Sequence, residues 1–154
     1  AILHGTDVAV KAPIVANDNA LFHWPLPSIS NELYIMRRVR HPNIIMFFGA
    51  CIDPDRIEIA LVFERLFGKP LNEFISAPPA PPGTRSRYSI ILDVCSALQY
   101  LHANVPQVVH GDLKHSNVFV EFTDSPTPRG KLLDFGLSRL ITRHSMLMGS
   151  TVGW

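Results

Sequence analysis

Apolar residues fall in short blocks along this chain, and their spacing changes from block to block. The first block, Val8-Ala9-Val10-Lys11-Ala12-Pro13-Ile14-Val15, is rich in valine and interrupted by Pro13, which predicts a strand at a sheet edge or end. Residues 17–30 hold Pro25, Pro27 and several turn formers and read as a loop. Over residues 31–39, Leu33, Met36 and Val39 recur at helical spacing, with Arg37, Arg38 and Arg40 gathered toward the C-terminal end, so a helix is expected there, stopped by Pro42. Residues 44–52 and 57–66 are two apolar stretches separated by Asp53-Pro54-Asp55, the pattern of two strands paired as a hairpin.

Residues 76–84 carry prolines at 78, 79, 81 and 82, a composition that forbids helix, favours an extended surface connection and divides the chain. Beyond it, residues 86–102 place Ile90, Ile91, Val94, Leu98 and Leu101 on one stripe, which predicts an amphipathic helix with that stripe in the core. Val108-Val109, residues 118–122 and residues 131–133 read as small strands around a functional loop, interrupted by a polar insertion at 123–130. After Gly136 the chain is polar and Met-containing through Ser150, with weak periodicity, and a flexible segment is expected there. No internal repeat is visible.

Composition narrows the function classes. With 154 residues, 47% of them hydrophobic, the chain can bury a core as one domain. Its formal charge of +1 supplies no basic field for nucleic acid and no acidic tail. Cys51 and Cys95 form neither a disulfide framework nor a zinc pattern, which fits a reducing, cytoplasmic compartment, or the cytoplasmic portion of a larger protein. No apolar run has the roughly 18 to 20 residues that span a bilayer, and the first residues lack the basic and apolar regions of a signal peptide. The chain has no initiating Met and stops at Val-Gly-Trp, so both ends are expected to be cuts from something longer.

The strongest constellation is His110-Gly111-Asp112-Leu113-Lys114-His115-Ser116-Asn117, followed by Asp134-Phe135-Gly136. Asp112 and Asp134 could each be a turn residue beside Gly111 and Gly136, but both motifs together in this order resemble the catalytic loop and metal-binding motif of eukaryotic protein kinases, His-x-Asp-Leu-x-x-x-x-Asn before Asp-Phe-Gly. Upstream pieces fall in the family's order. Val8-Ala9-Val10-Lys11 matches the strand motif Val-Ala-Ile-Lys, and Glu32 stands where the resemblance implies an ion-pair partner for Lys11. His41-Pro42-Asn43-Ile44 resembles the turn after the family's regulatory helix, and Val62-Phe63-Glu64-Arg65-Leu66 looks like gatekeeper and hinge. The resemblance implies Phe63 as gatekeeper, backbone hydrogen bonds from an adenine ring to Glu64 and Leu66, and Ala9 and Phe119 on either side of that ring.

The implied chemistry is phosphoryl transfer from ATP, where the protein positions phosphates and stabilises charge. By resemblance, Lys11 would hold the alpha and beta phosphates, Asp112 would accept or orient the proton of the attacking hydroxyl, Asn117 and Asp134 would ligate Mg2+, and Lys114 would neutralise the gamma phosphate. Lysine two places after the catalytic aspartate is the serine/threonine pattern. The wording of residues 36–43, 48–51 and 110–114 is most similar to the tyrosine-kinase-like group of serine/threonine kinases. Met36, Phe47, His110 and Phe135 fall where the family places its regulatory spine. The implied fold is α+β, a partial two-lobe kinase: residues 1–66 an antiparallel remnant of the small lobe with its helix and hinge, residues 67–154 a partial, mainly helical large lobe through the activation segment. Its partners would be ATP and a protein substrate bearing serine or threonine, with no nucleic acid and no membrane segment in this chain.

Three departures stand beside the resemblance. Gly111 replaces the arginine that usually precedes the catalytic aspartate and pairs with a phosphorylated activation loop, leaving Ser145, Ser150 and Thr151 as weak candidate phosphosites. No Gly-x-Gly-x-x-Gly precedes Val8, and no Ala-Pro-Glu follows. On that reading the helix at 86–102 exposes apolar surface, and the chain is marginally stable and aggregation-prone. The rival reading is a catalytically inactive kinase fragment or a pseudokinase-like module that binds nucleotide or a partner. A Rossmann-type dehydrogenase is set aside for want of a glycine fingerprint after a strand.

Overall fold

The computed structural model describes residues 1–12, 26–53, 58–76 and 82–141. Its first half is a four-stranded antiparallel sheet. Strands β1 (Ile2–Leu3) and β2 (Thr6–Lys11) meet at His4 and Gly5, both with positive φ (47° and 81°), the two-residue geometry whose twist suits a tight hairpin. Strands β3 (Phe47–Asp53) and β4 (Glu58–Glu64) pair from Phe47 opposite Phe63 to Asp53 opposite Glu58, and the sheet order is β1-β2-β4-β3. The hairpin expected at 44–52 and 57–66 is thus present, but it starts later than its apolar run. Ile44 and Ile45 instead bridge to Leu132 in the other half of the molecule, the Ile45 amide donating to the Leu132 carbonyl at 3.0 Å. Positions 13–15 of the first expected strand and the turn at 54–57 lie outside the described residues.

Helix α1 (Leu26–Met36) is displaced toward the N-terminus from the expected 31–39 and occupies part of the expected loop. Pro27 falls in its first turn, where a missing N–H leaves no intrahelical bond unmade. At the other end the Arg38 amide reaches only to the Ile35 carbonyl, a tightening that ends the helix before Val39. Val39 is buried all the same, so its place in the apolar pattern came from the following turn and not from the helix.

The second half contains β5 (Gly68–Pro70), the short α2 (Leu71–Ile75), α3 (Thr84–Ala103), β6 (Gln107–Val109), a 3₁₀ turn (His115–Asn117), β7 (Val118–Glu121), β8 (Arg129–Leu132) and β9 (Arg139–Ile141). Strands β5, β7 and β8 form one antiparallel sheet, and β6 pairs with β9. Gly68 is required where it stands, because a Cβ there would collide with the Val120 carbonyl across the β5–β7 pair. Strand β9 corrects the expectation of a flexible segment after Gly136 for the residues up to Ile141, and positions 142–150 of that segment lie outside the described residues. Three residues are too few to signal a strand on their own, and they are ordered by pairing Val108 with Leu140, a contact between distant parts of the chain. The prolines at 78, 79 and 81, and Ser145, Ser150 and Thr151, lie outside the described residues.

Helix α3 follows its expected span, but its buried stripe is narrower. Ile90, Ala97 and Leu101 are buried and Val94 and Leu98 pack beside them, whereas Ile91 is 57% exposed. Successive helical residues point about 100° apart, so Ile90 and Ile91 cannot share one narrow face. With Tyr88 at 63% and Leu92 at 66%, Ile91 forms the exposed apolar surface that the sequence led one to expect on this helix. A single core joins α1, the first sheet, α3 and the second sheet through Met36, Phe47, Leu61, Leu101, Val120, Leu132 and Phe135. The architecture is α+β.

Candidate active site

Two groups of polar side chains converge where the halves meet. The first lies on the loop after β6. His110 is buried, its ring 4.8 Å from that of Phe135, and its Nε2 lies 2.9 Å from the Leu133 carbonyl oxygen. A carbonyl only accepts, so Nε2 carries the proton, which leaves Nδ1 to accept from the Asp112 amide at 3.4 Å. Burial lowers the pKa of His110, against the opposing pull of the Leu133 carbonyl, and keeps the ring neutral. Gly111, at φ 78°, turns the chain so that Asp112 faces the 3₁₀ turn. There the Asn117 amide nitrogen donates to both the Asp112 backbone oxygen and its Oδ2, each at 2.9 Å, and Lys114 Nζ lies 2.7 Å from the same Oδ2. The hydrogen bond from Lys114, joined by that from Asn117 and opposed by partial desolvation, holds the Asp112 carboxyl below its ordinary value.

The second group spans three elements. At the end of β2, Lys11 Nζ donates to Glu32 Oε2 on α1 at 2.8 Å and to Asp134 Oδ1 at 3.1 Å. Burial alone would lower the Lys11 pKa, but the hydrogen bond and charge of Glu32, with those of Asp134, outweigh it and raise the value. Glu32 is more deeply buried, and desolvation raises its pKa in spite of the lysine. Asp134 has φ 57°, a left-handed conformation that few non-glycine residues adopt, and its Oδ1 also accepts the Gly136 amide at 3.2 Å. That turn sends Phe135 inward, and Met36, Phe47, His110 and Phe135 are all buried.

The remaining sequence-derived positions line the neighbouring strands. Ala9 is exposed on β2 opposite Phe63, which is buried on β4 with its ring 5.5 Å from that of Phe47. Phe119 is half-buried on β7, opposite Lys131 and Pro70, and Leu66 follows β4 with intermediate exposure. Glu64 does more than its sequence position suggested. Its carboxylate accepts the Met46 amide at 2.8 Å and the Lys131 ammonium at 2.5 Å, and its own amide donates to the Met46 carbonyl. The structure therefore brings Lys11, Glu32 and Asp134 into one group and Asp112, Lys114 and Asn117 into another, with Ala9 and Phe63 on paired strands.

Three residues escaped the sequence reading. Lys131, buried on β8, sits between Glu64 and Glu121, the latter at 3.8 Å. Its one signal was a lysine inside an apolar strand pattern. Asn31 donates from Nδ2 to the carbonyls of Gly136 (3.2 Å) and Ser138 (2.7 Å), and the buried Ser138 donates from Oγ to the His110 carbonyl at 2.8 Å. Nothing in the local pattern of either residue marks it.

Among the described residues, no cluster of three or more His, Cys, Asp or Glu side chains is arranged to hold a metal by itself. Asn117 and Asp134 still offer hard oxygens. With the Asn117 nitrogen committed to Asp112, its amide oxygen is the atom offered to a cation. One carboxylate and one amide oxygen suit Mg2+, which keeps several waters and takes phosphate oxygens to complete its shell.

The family described as protein kinase domain matches residues 2–153. The chain is 37% identical over 147 residues to the probable serine/threonine-protein kinase SIS8 of Arabidopsis thaliana, covering 96% of this chain and 13% of that protein. It is 38% identical over 140 residues to the serine/threonine-protein kinase CTR1 of the same plant, covering 89% and 16%. A dual specificity protein kinase of Dictyostelium discoideum, splA, is 30% identical over 159 residues, covering 96% and 6%. The chain thus spans less than a fifth of the length of each of these relatives.

Proposed function

Since the chain belongs to the protein kinase family, we propose that the protein it represents transfers the ATP gamma phosphate to serine or threonine hydroxyls of protein substrates, within the tyrosine-kinase-like group. The observation that carries this reading is the single ammonium of Lys11 in contact with both Glu32 and Asp134, which joins strand, helix and the Asp-Phe-Gly turn around one positive charge. Lys11, held by Glu32, binds the alpha and beta phosphates. Asp112, kept ionised by Lys114 and Asn117, orients the attacking hydroxyl and takes its proton late, since a lowered pKa makes it a weak base. Lys114 shifts its charge from Asp112 to the gamma phosphate, and Asn117 and Asp134 hold Mg2+. Magnesium, when bound, supplies charge that neutralises the phosphate oxygens. The adenine ring lies between Ala9 and Phe119, bonds the backbone of Glu64 and Leu66, and stops at Phe63. We place the boundary between lobes after Leu66, where the first sheet has ended and β5 has yet to begin.

Serine or threonine specificity rests on Lys114 and on the names of the relatives. A cytoplasmic location rests on two cysteines that are both exposed and unbonded; no helix among the described residues is long and apolar enough to cross a membrane. The test is calorimetric titration of ATP, with and without Mg2+, into this chain, into Asp134→Asn, and into the longer parent protein, followed by phosphate transfer to a serine peptide by the parent. Magnesium-dependent binding that Asp134→Asn abolishes is the expected result. Binding without transfer by the parent would favour the inactive nucleotide-binding module, and no binding by chain or parent would overturn the reading.

A further inference from the structure

We infer that Asn31 is a positioning residue which clamps the five residues from Asp134 to Ser138 onto helix α1, while the Ser138 hydroxyl ties the same segment to the loop carrying Asp112, so that the helix and this segment hold their assembled positions only together. The inference rests on the phosphotransfer reading for its consequence and on geometry for its substance. Asn31 and Glu32 are neighbours on α1 and hold opposite ends of one pentapeptide. Glu32 reaches Asp134 through Lys11. Asn31 donates both protons of one amide nitrogen, to the Gly136 carbonyl at 3.2 Å and the Ser138 carbonyl at 2.7 Å. Between these points the peptide is already bent, with Asp134 at positive φ and the Ser138 amide closing a turn onto the Phe135 carbonyl at 3.1 Å.

The far side of the same segment is fixed to the loop that carries Asp112. Ser138 Oγ donates to the His110 carbonyl at 2.8 Å, and the Leu137 carbonyl lies so close to Gly111 that any Cβ there would collide with it. A side chain at 111 would push the segment away, so its absence is part of the fit. Strand β9 then continues from Ser138 into its pairing with β6. An outward rotation of α1 would break the Lys11–Glu32 contact and both Asn31 bonds at once. The clamp uses only neutral donors and backbone acceptors, so it needs no added charge to close.

Amide hydrogen exchange of the full chain, followed by peptide mass spectrometry, tests this without requiring turnover. Asn31→Leu removes the donors, and Asn31→Asp keeps the size while replacing donors by acceptors that face two carbonyls. Loss of two such bonds should raise exchange over 134–141 and over 26–36 together, by about tenfold or more, while α3 at 84–103 stays as in the parent sequence. Ser138→Ala should raise exchange over 134–141 by a smaller factor. In the phosphotransfer assay of the parent protein, Asn31→Asp should lower kcat more than it raises KM for ATP. An exchange increase confined to 26–36, or one spread equally over 84–103, would overturn the clamp even if phosphotransfer is found. Coupled exchange in a protein with no transfer would keep the clamp and sink only the functional reading.

Discussion

Lys131→Met is the sharpest test of the electrostatics that join the two halves. The Lys131 side chain is 7% exposed, with its ammonium 2.5 Å from Glu64 and 3.8 Å from Glu121, whose side chains are 20% and 14% exposed. Methionine keeps the length and apolar contacts of the lysine stem and removes only the charge. Two carboxylates are then left in a largely buried place without their cation. Removing one partner of a buried ion pair typically costs about 3–5 kcal/mol, because the remaining charge stays desolvated. Both carboxylates keep some solvent contact, so the lower end applies, about 3 kcal/mol, or a fall in Tm of roughly 6–12 °C for a domain of this size. Urea unfolding followed by far-UV circular dichroism measures the loss. Adding Glu64→Gln to Lys131→Met should recover at least 1 kcal/mol, since the amide oxygen can still accept the Met46 amide while one stranded charge is gone. A loss under about 1 kcal/mol for Lys131→Met, or purely additive losses in the double variant, would refute the argument that a desolvated ion pair links β4 and β8.

Two further outcomes follow from the site. His110 has a folded pKa below its ordinary 6.5 because it is buried, so the stability it contributes is complete above pH 6.5 and is lost as pH falls below that value toward the folded pKa. His41, also lowered by burial, acts in the same sense. Thermal midpoints measured from pH 7.5 down to 5 should therefore fall, and His110→Asn should flatten the slope without abolishing it; an unchanged slope would remove His110 from the account. Gly111→Ala places a Cβ against the Leu137 carbonyl at a left-handed backbone position, which costs about 1–2 kcal/mol for the conformation alone. The displaced segment should be cut faster by trypsin after the exposed Arg139, and cleavage at the parent rate would show that the close approach is not needed.

The sequence alone determined the elements with strong local periodicity and the chemistry with fixed spacing. Two apolar runs separated by Asp53-Pro54-Asp55 placed β3 and β4 as a hairpin, the long amphipathic pattern placed α3 to within two residues at either end, and the catalytic-loop and Asp-Phe-Gly motifs carried the family. Within motifs, residues that act together are near in sequence: Asp112, Lys114 and Asn117 lie on one loop and its 3₁₀ turn. What only the tertiary structure decided depends on partners far away along the chain. Helix α1 begins before its apolar pattern does, β9 exists because β6 is beside it, and Ile91 faces outward because the core touches a narrower strip of α3. Lys131 reads as a surface charge until Glu64 and Glu121 are brought to it, and Asn31 as an ordinary helix residue until the Gly136 and Ser138 carbonyls arrive. Periodicity reports which way a residue faces along its own element. It carries no record of which acceptor, carboxylate or strand edge will stand opposite, and those opposites fix the geometry of this site.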